Sequence, residues 1–344
     1  MPSAPRVAIL GATGAVGSVM RTVLAERAFP LAELVCLASE RSAGSRVTFA
    51  GEEVEVRVAG PGCFEGIDVA LFSAGASRSR VFAPDAVAAG AVVVDNSSAF
   101  RMEPNVPLVV ADVNPHALRT HRGIVANPNC STMQLMPVLK PILDTAGLEH
   151  VTVATYQAVS GTGQHAIDGL LAESRDVLAG EDVAPAVYPH RIAFNAIPVA
   201  GSFAGDDGYT DEELKLVSET RKILEVPDLR ISATCVRVPV VTSHSEAVWV
   251  QTTRPLSPAE LRELLAAARG VTVVDDPATH AYPTPLSAAG SDEVYVGRIR
   301  RDLGVENGLA LWVVSDNLRK GAASNAVDIA GLLVRDGLLG ARAA

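Results

Sequence analysis

The sequence predicts an α/β chain of two domains, a doubly wound parallel sheet followed by an α+β domain, and three observations carry that reading. Length is the first: 344 residues correspond to about two domains at roughly 150 residues each. The second is the alternation of short apolar runs with helical stretches up to Asn127-Pro128-Asn129, the pattern of a parallel sheet. The third is a change of texture after Gly147, where the β-branched runs lengthen and read as a mixed or antiparallel sheet with helices on one face.

The elements follow in order. Arg6 to Leu10 is a short β-rich run, and Ser18 to Arg27 behind it is helical, with Val19, Met20, Val23 and Leu24 as its apolar positions. Leu34 to Ala38, Val69 to Ser73, Val92 to Val94 and Leu108 to Val110 supply four further strands. In the second half Val151 to Val159, Arg230 to Val238, Ala247 to Thr253 and Val294 to Ile299 are strand-like. Helices are predicted at Gln164 to Leu178, Asp211 to Leu224 and Pro258 to Ala268, the last two opened by Thr210 and Ser257 as caps. Gly201 to Asp207 reads as a loop. Leu309 to Ser315 is strand-like again and Ala322 to Val334 helical.

Composition narrows the class of function. An apolar fraction of 48% with 20% charged residues excludes disorder and coiled coil. With 29 basic against 39 acidic residues the net charge is −10, which argues against a nucleic-acid partner. The longest apolar run, Val87 to Val94, is far below the roughly 18 residues of a membrane span. Met1 to Pro5 lacks the charged-then-apolar order of a signal peptide. Cys36, Cys63, Cys130 and Cys235 lie too far apart for a Cys-x-x-Cys metal pair or a disulfide framework. The expectation is a cytoplasmic protein with no metal and a small-molecule substrate.

Gly11, Gly14 and Gly17 sit between the first strand and the first helix, where a dinucleotide fold of Rossmann type places a pyrophosphate. That position needs a tight turn, close backbone approach and helix N–H groups aimed at an anion. The spacing is G-x-x-G-x-x-G, a variant of the usual fingerprint, and a ligand-free glycine turn is the bland alternative. At the end of the second strand stand Ser39, Glu40, Arg41 and Ser42. An acidic group there suits the ribose hydroxyls of NAD and an arginine the extra phosphate of NADP. Spacing leaves the two open, while Arg41 flanked by Ser39 and Ser42 favours NADP.

Only Cys130 has surroundings suited to chemistry. Asn127-Pro128-Asn129-Cys130-Ser131-Thr132 precedes the apolar run Met133 to Leu139, so the thiol stands at a helix N-terminus, which favours thiolate. Pro137 in that run is expected to kink or shorten the helix. The residues alone leave a nucleophile and a structural free thiol both open. Cys36 and Cys235 fall in strands and Cys63 in a glycine-containing turn, positions of inert packing or loop cysteines. Among the histidines His244 lies between two strands, after Arg237-Val238-Pro239, and by spacing alone reads as a surface turn residue. Thr210 with Glu213 forms a capping box, and Glu212 with Lys215 a pair three apart, the marks of a solvated helix start.

These motifs together resemble the bacterial, NADP-dependent aspartate-semialdehyde dehydrogenases. The resemblance spans essentially the whole chain. It rests on the glycine loop 11–17, on Asp95-Asn96-Ser97-Ser98-Ala99-Phe100-Arg101-Met102, on the Cys130 segment and on Tyr156-Gln157-Ala158-Val159-Ser160-Gly161. Asn195-Ala196-Ile197-Pro198, Glu212-Glu213-Leu214-Lys215, Arg237-Val238-Pro239-Val240, His244-Ser245-Glu246-Ala247 and Asp316-Asn317-Leu318-Arg319-Lys320-Gly321-Ala322 continue it. Two places depart from the pattern: Ser243 stands where glycine usually precedes the histidine, and Val199-Ala200-Gly201 replaces the usual acidic continuation. Serine takes positive φ less freely than glycine, so a shift of the histidine loop is expected.

The resemblance implies a semialdehyde dehydrogenase / glyceraldehyde-3-phosphate dehydrogenase-like fold. A discontinuous NADP-binding Rossmann-type domain would cover 1–129 and 316–344, and a catalytic and dimerisation domain 130–315. It implies reduction of L-4-aspartyl phosphate by NADPH to L-aspartate 4-semialdehyde and phosphate, feeding lysine (through diaminopimelate), methionine and threonine synthesis. Cys130 would carry a thioester, His244 would act as acid/base and Gln157 would orient the substrate. Arg237 would grip the α-carboxylate and Glu212 the ammonium. Arg101, Lys215, Asn96 and Asn129 would surround the phosphate. Thr13, Gly14, Ala15, Val16, Arg41, Ser42, Ser160, Gly161 and Asn317 would contact NADP. A homodimer or a dimer of dimers is implied. Two rivals are an N-acetylglutamyl-phosphate reductase, which has no use for Glu212, and a non-catalytic NADP-binding sensor, against which Cys130, Gln157, Arg237 and His244 argue.

Overall fold

The computed structural model describes residues 4–340 and divides into two units, one joining residues up to 129 with those from 322, the other 130–321. Residues 316–321, expected in the first domain, group with the second unit. There Asn317 hydrogen-bonds Ser160 and Gly321 packs on Cys130.

In the first unit β1 (Arg6–Leu10), β2 (Glu33–Ala38), β3 (Arg46–Phe49), β4 (Glu52–Val58), β5 (Val69–Phe72), β6 (Val92–Asp95) and β7 (Ile124–Ala126) form one sheet. Its order is β3-β4-β2-β1-β5-β6-β7, with every neighbour parallel except the β3–β4 hairpin. The continuous apolar runs reflect burial on both faces. Val7 and Ile9 of β1 meet Met20 and Val23 of α1 (Ala15–Glu26) and Ala326 and Ile329 of the terminal helix (Asn325–Arg335). Ala8 and Leu10 point the other way, toward Phe64, Phe72 and Ala83 and Ala86 of α2 (Ala76–Ala88). From β1 the chain runs outward to β2 on one side and later resumes at β5 on the other. The strand order therefore reverses beside the carboxyl end of β1, where open α/β sheets bind ligands.

Two local differences from the sequence expectation have physical causes. Leu108 to Val110 is buried but is not a ladder strand, making a single bridge from Leu108 to Ala126. Side chains take its backbone groups instead: Asn114 accepts from Val110 N–H at 2.8 Å and donates to Leu108 O at 2.9 Å, and Asn325 donates to Val109 O. The edge position goes to β7. The hairpin β3–β4 escapes an apolar-run reading because its strands alternate charged residues outward. Its turn uses Ala50 and Gly51, both at positive φ (49° and 86°).

The second unit is a six-stranded mixed sheet of β8 (His150–Gln157), β9 (Arg230–Arg237), β10 (His244–Gln251), β11 (Val271–Val273), β12 (Val294–Arg301) and β13 (Gly308–Ser315), in order β11-β12-β13-β10-β8-β9. Its helices are α3 (Cys130–Ala146), α4 (Gln164–Leu178), α5 (Asp211–Leu224), α6 (Pro258–Ala266) and the short α7 (Pro285–Ala288). Capping boxes at Thr210 and Ser257 fix the starts of α5 and α6. Contrary to expectation, α3 is not shortened: it runs 17 residues through Pro137 and Pro141. Burial of Met133, Leu135, Met136 and Leu139 outweighs the ~3 kcal/mol that an internal proline costs. The opposite sheet face stays partly open, with Tyr156 and Trp312 in ring contact at 5.3 Å.

Candidate active site

In the first unit the turn after β1 is built on close approach. Gly11 has φ 90°, and a Cβ on Gly17 would stand 2.1 Å from Gly11 O, so only glycine lets helix and turn close on each other. α1 starts at Ala15 behind Gly14, with no side-chain cap and no acidic residue in its first turn. Its leading N–H groups are thus available to an anion. Thr13, exposed, donates to Ser42 Oγ at 3.4 Å, which joins the glycine loop to the turn Glu40–Ser42 that begins after Ser39 and bears the exposed Arg41. Thr13, Gly14, Ala15, Val16, Ser39, Arg41 and Ser42 therefore flank the end of one strand pair. A dinucleotide fits this turn on its backbone shape.

The loop after β6 is organised by the buried Asp95, which accepts from Ser79 Oγ, Ser97 N–H and Ser97 Oγ. Arg101, 7% exposed, donates from Nε to Asn127 O and from Nη2 to Asn96 O, each at 2.9 Å. Asn127 in turn donates to Asn96 Oδ1. Arg101 and Asn96 are thus brought together, and Asn129, also buried, lies two residues beyond Asn127.

In the second unit Cys130 opens α3 and is partly accessible. Gly321 lies directly against it: a Cβ there would be 2.9 Å from Cys130 Cβ. Gln157, at the end of β8 and buried, donates through Nε2 to Ser131 Oγ at 3.0 Å and to Glu212 Oε1 at 3.2 Å. This ties the helix that Cys130 opens to α5. Lys215 pairs with Asp211 at 2.5 Å and Glu212 at 3.4 Å. Burial works against its ammonium, but the Glu212 and Asp211 carboxylates outweigh it and Lys215 titrates above the ordinary lysine range. Burial also pushes the thiols of Cys36, Cys63 and Cys235 up, which makes them poor nucleophiles.

His244 corrects the surface-turn expectation: it is the first residue of β10 and wholly buried. Pairing of β10 with β13 puts it opposite Ser315, a contact that spacing could not show. Its Nδ1 accepts Ala158 N–H at 3.0 Å, and Nε2 has no hydrogen-bond partner among the described residues. Burial first, then the Arg237 charge, holds the imidazole well below its ordinary range, so the ring is neutral. Arg237, at the end of β9, donates Nη1 to Ala158 O at 2.7 Å while its buried Nε has no partner among the described residues. A Cβ on Gly161 would lie 3.2 Å from His244 Nε2 and 3.3 Å from Arg237 Nη1. The imidazole and the guanidinium therefore border the same glycine.

Asn317 accepts from Ser160 Oγ at 3.1 Å and from Ser243 N–H at 2.9 Å, so these residues knit the loop before His244. Ser243 holds φ 75°, the left-handed conformation that the usual glycine would supply. Tyr188 is a residue that sequence reasoning missed. Its ring lies under the Arg237 guanidinium at 5.8 Å and its hydroxyl meets Thr162 Oγ1 at 2.9 Å. It sits in an irregular segment between α4 and α5, and no motif marks it. Among the described residues, no group of three or more His, Cys, Asp or Glu could hold a metal ion, and no helix is long and apolar enough to cross a membrane.

Residues 6–121 match the model of the semialdehyde dehydrogenase NAD binding domain, and residues 139–320 that of the semialdehyde dehydrogenase dimerisation domain. The chain is 52% identical over 338 residues to aspartate-semialdehyde dehydrogenase of Aquifex aeolicus, covering 97% of this chain and 99% of that one. It is 51% identical to the Bacillus subtilis protein of the same name, covering 94% and 96%. Among solved structures it is similar to aspartate semialdehyde dehydrogenase II of Vibrio cholerae complexed with ASA, with TM-score 0.94, 46% identity and coverage of 97% and 99%. The Candida albicans enzyme with NADP gives TM-score 0.75 at 26% identity, covering 98% and 100%. With both halves matched and half of its residues shared along nearly the full length, the chain belongs to the aspartate-semialdehyde dehydrogenase family.

Proposed function

We propose that this protein converts L-4-aspartyl phosphate and NADPH into L-aspartate 4-semialdehyde, phosphate and NADP through a thioester on Cys130. The observation that carries the reading is the second unit's constellation. A thiol opens a helix, and a neutral imidazole and a guanidinium, each with a ring nitrogen or N–H that has no partner among the described residues, border one glycine.

The Cys130 sulfur bonds the acyl carbon and the carbon–oxygen bond to phosphate breaks, leaving the aspartyl group as a thioester. When bound, NADPH supplies a hydride to that carbon. Collapse of the resulting thiohemiacetal breaks the carbon–sulfur bond and frees the aldehyde. His244, with Nδ1 engaged by Ala158, offers its Nε2–H to the carbonyl oxygen as charge builds there. Arg237 takes the α-carboxylate through its fork, Glu212 takes the ammonium, and Gln157 orients the substrate. Arg101, Asn96, Asn129 and Lys215 take the phosphate. Gly11 to Gly17 with Ser39, Arg41 and Ser42, and Ser160, Gly161 and Asn317, serve NADP, Arg41 giving the preference over NAD. The product supplies lysine, methionine and threonine synthesis. Four free thiols suit a cytoplasmic enzyme, and the partly open sheet face around Tyr156 and Trp312 suits pairing into a homodimer, with a dimer of dimers as the larger assembly.

The test is the reverse reaction. With aspartate semialdehyde and NADP, absorbance of the reduced nucleotide should rise only when phosphate is present, faster than with NAD and faster than with N-acetylglutamate semialdehyde. Cys130→Ala should fold, bind NADP and give no rise. A phosphate-independent rise, or turnover in that variant, overturns the reading.

A further inference from the structure

Glu173 of α4 is 2% exposed, and no step above uses it. Three backbone N–H groups of one irregular segment meet its carboxylate. Ala186 N–H donates to Oε1 at 3.0 Å, and Ile192 and Ala193 N–H donate to Oε2 at 2.9 and 3.1 Å. A buried carboxylate needs such donors, and N–H bonds to a carboxylate are among the stronger ones. Gly169 lies four residues earlier on the same face of α4. A Cβ there would stand 2.8 Å from Val187 Cγ2, so the glycine leaves room for Val187 to seat. Segment 186–193 is thus fastened to α4 at both ends.

Between those ends stands Tyr188, its ring centre 5.8 Å from the Arg237 guanidinium carbon and its hydroxyl 2.9 Å from Thr162 Oγ1. Just past the second end, Ile197 pairs with Arg237 itself. Ile197 N–H donates to Arg237 O at 2.9 Å, and Arg237 N–H donates to Ile197 O at 2.8 Å. The same stretch of chain therefore meets Arg237 at its backbone and at its guanidinium. With Nη1 on Ala158 O and the Tyr188 ring against the group, the guanidinium is held at two places. Its buried Nε has no partner among the described residues, and that edge is the one presented to a carboxylate.

We propose that Glu173 is a positioning residue for substrate binding: by fastening segment 186–193 it sets the Tyr188 ring against Arg237 and so fixes the fork that takes the α-carboxylate. This rests on the role of Arg237 in the proposed function. Glutamine at position 173 would offer one acceptor oxygen and turn an NH2 toward N–H donors, which loosens the segment. Leucine at position 188 would remove the ring, whereas phenylalanine would keep it and lose only the bond to Thr162.

The test is the split between KM and kcat in the phosphate-dependent reaction. Glu173→Gln and Tyr188→Leu should each raise KM for aspartate semialdehyde about five- to tenfold, with kcat and KM for NADP within about twofold. The double variant should lie within about twofold of Tyr188→Leu alone, because both changes act through one ring. Tyr188→Phe should keep KM within about threefold of the native protein. A role confined to stability would lower the melting temperature and the active fraction, hence kcat, and leave KM alone. Native KM in a folded Glu173→Gln, or losses that multiply in the double variant, overturns the proposal. If Glu173→Gln does not fold, Glu173→Asp, which keeps the carboxylate but falls one carbon short of the segment, takes its place on the same criteria. A raised KM in Arg237→Lys with native KM in the Glu173 variant overturns this inference alone. Absence of phosphate-dependent turnover in the native protein removes the proposed function, and this inference with it.

Discussion

Nδ1 of His244 accepts the backbone N–H of Ala158 at 3.0 Å, and this single bond fixes which nitrogen of the neutral ring carries hydrogen. With Nδ1 occupied as an acceptor, the proton sits on Nε2, the atom that borders Gly161. Protonating Nδ1 would set two hydrogens against each other, so the bond to Ala158 and the burial act in the same direction.

The consequence for pH is specific. The folded His244 titrates well below 6.5 because of burial and the Arg237 charge, while the unfolded chain titrates near 6.5. Below about pH 6.5 the unfolded state therefore binds a proton that the folded state does not. The stabilisation is full above that pH and is lost as pH falls toward the folded value, at up to about 1.4 kcal/mol per pH unit. Urea unfolding between pH 5.0 and 6.5 should give His244→Gln a shallower slope than the native protein. Equal slopes would show that the imidazole is not held neutral by the fold.

Arg237→Lys should raise KM for aspartate semialdehyde by about 10- to 100-fold while leaving KM for NADP within about twofold. A lysine keeps one charge but cannot at once bond Ala158 O, lie on the Tyr188 ring and present a second N–H, as the guanidinium is placed to do. Steady-state kinetics on both substrates checks the split.

Ser243→Gly should stabilise the protein by about 1 kcal/mol with kcat within about twofold, because φ 75° is strained for serine and free for glycine. The serine hydroxyl is buried with no partner among the described residues, so its removal forfeits no hydrogen bond. Ser243→Val should lower stability, since a β-branched side chain tolerates that conformation poorly. Thermal melts of the pair decide; a destabilised glycine variant contradicts the strain argument.

Gly321→Ala should lower kcat at least about tenfold, because the added methyl meets Cys130 Cβ at 2.9 Å and the proposed nucleophile must move. Circular dichroism should remain that of a folded protein, separating misplacement from collapse.

Sequence alone determined much of this protein. Local chemistry is enough to start a helix at Thr210, to continue a strand through Arg6–Leu10 and to mark a glycine turn before α1, since each depends on residues within a few positions of one another. Cys130, Gln157, Arg237 and His244 are joined in one proposed site by the resemblance of their motifs, which lie in separate stretches of the chain. Strand pairing and burial were beyond local reach. That His244 is enclosed and neutral depends on Ala158, 86 residues away. That Leu108 to Val110 leaves the ladder depends on Asn114 and Asn325, and that Tyr188 serves Arg237 depends on a fold of irregular chain. Desolvation and long-range hydrogen bonding are properties of the assembled core, and they arise only when segments distant in sequence share the same water-free volume.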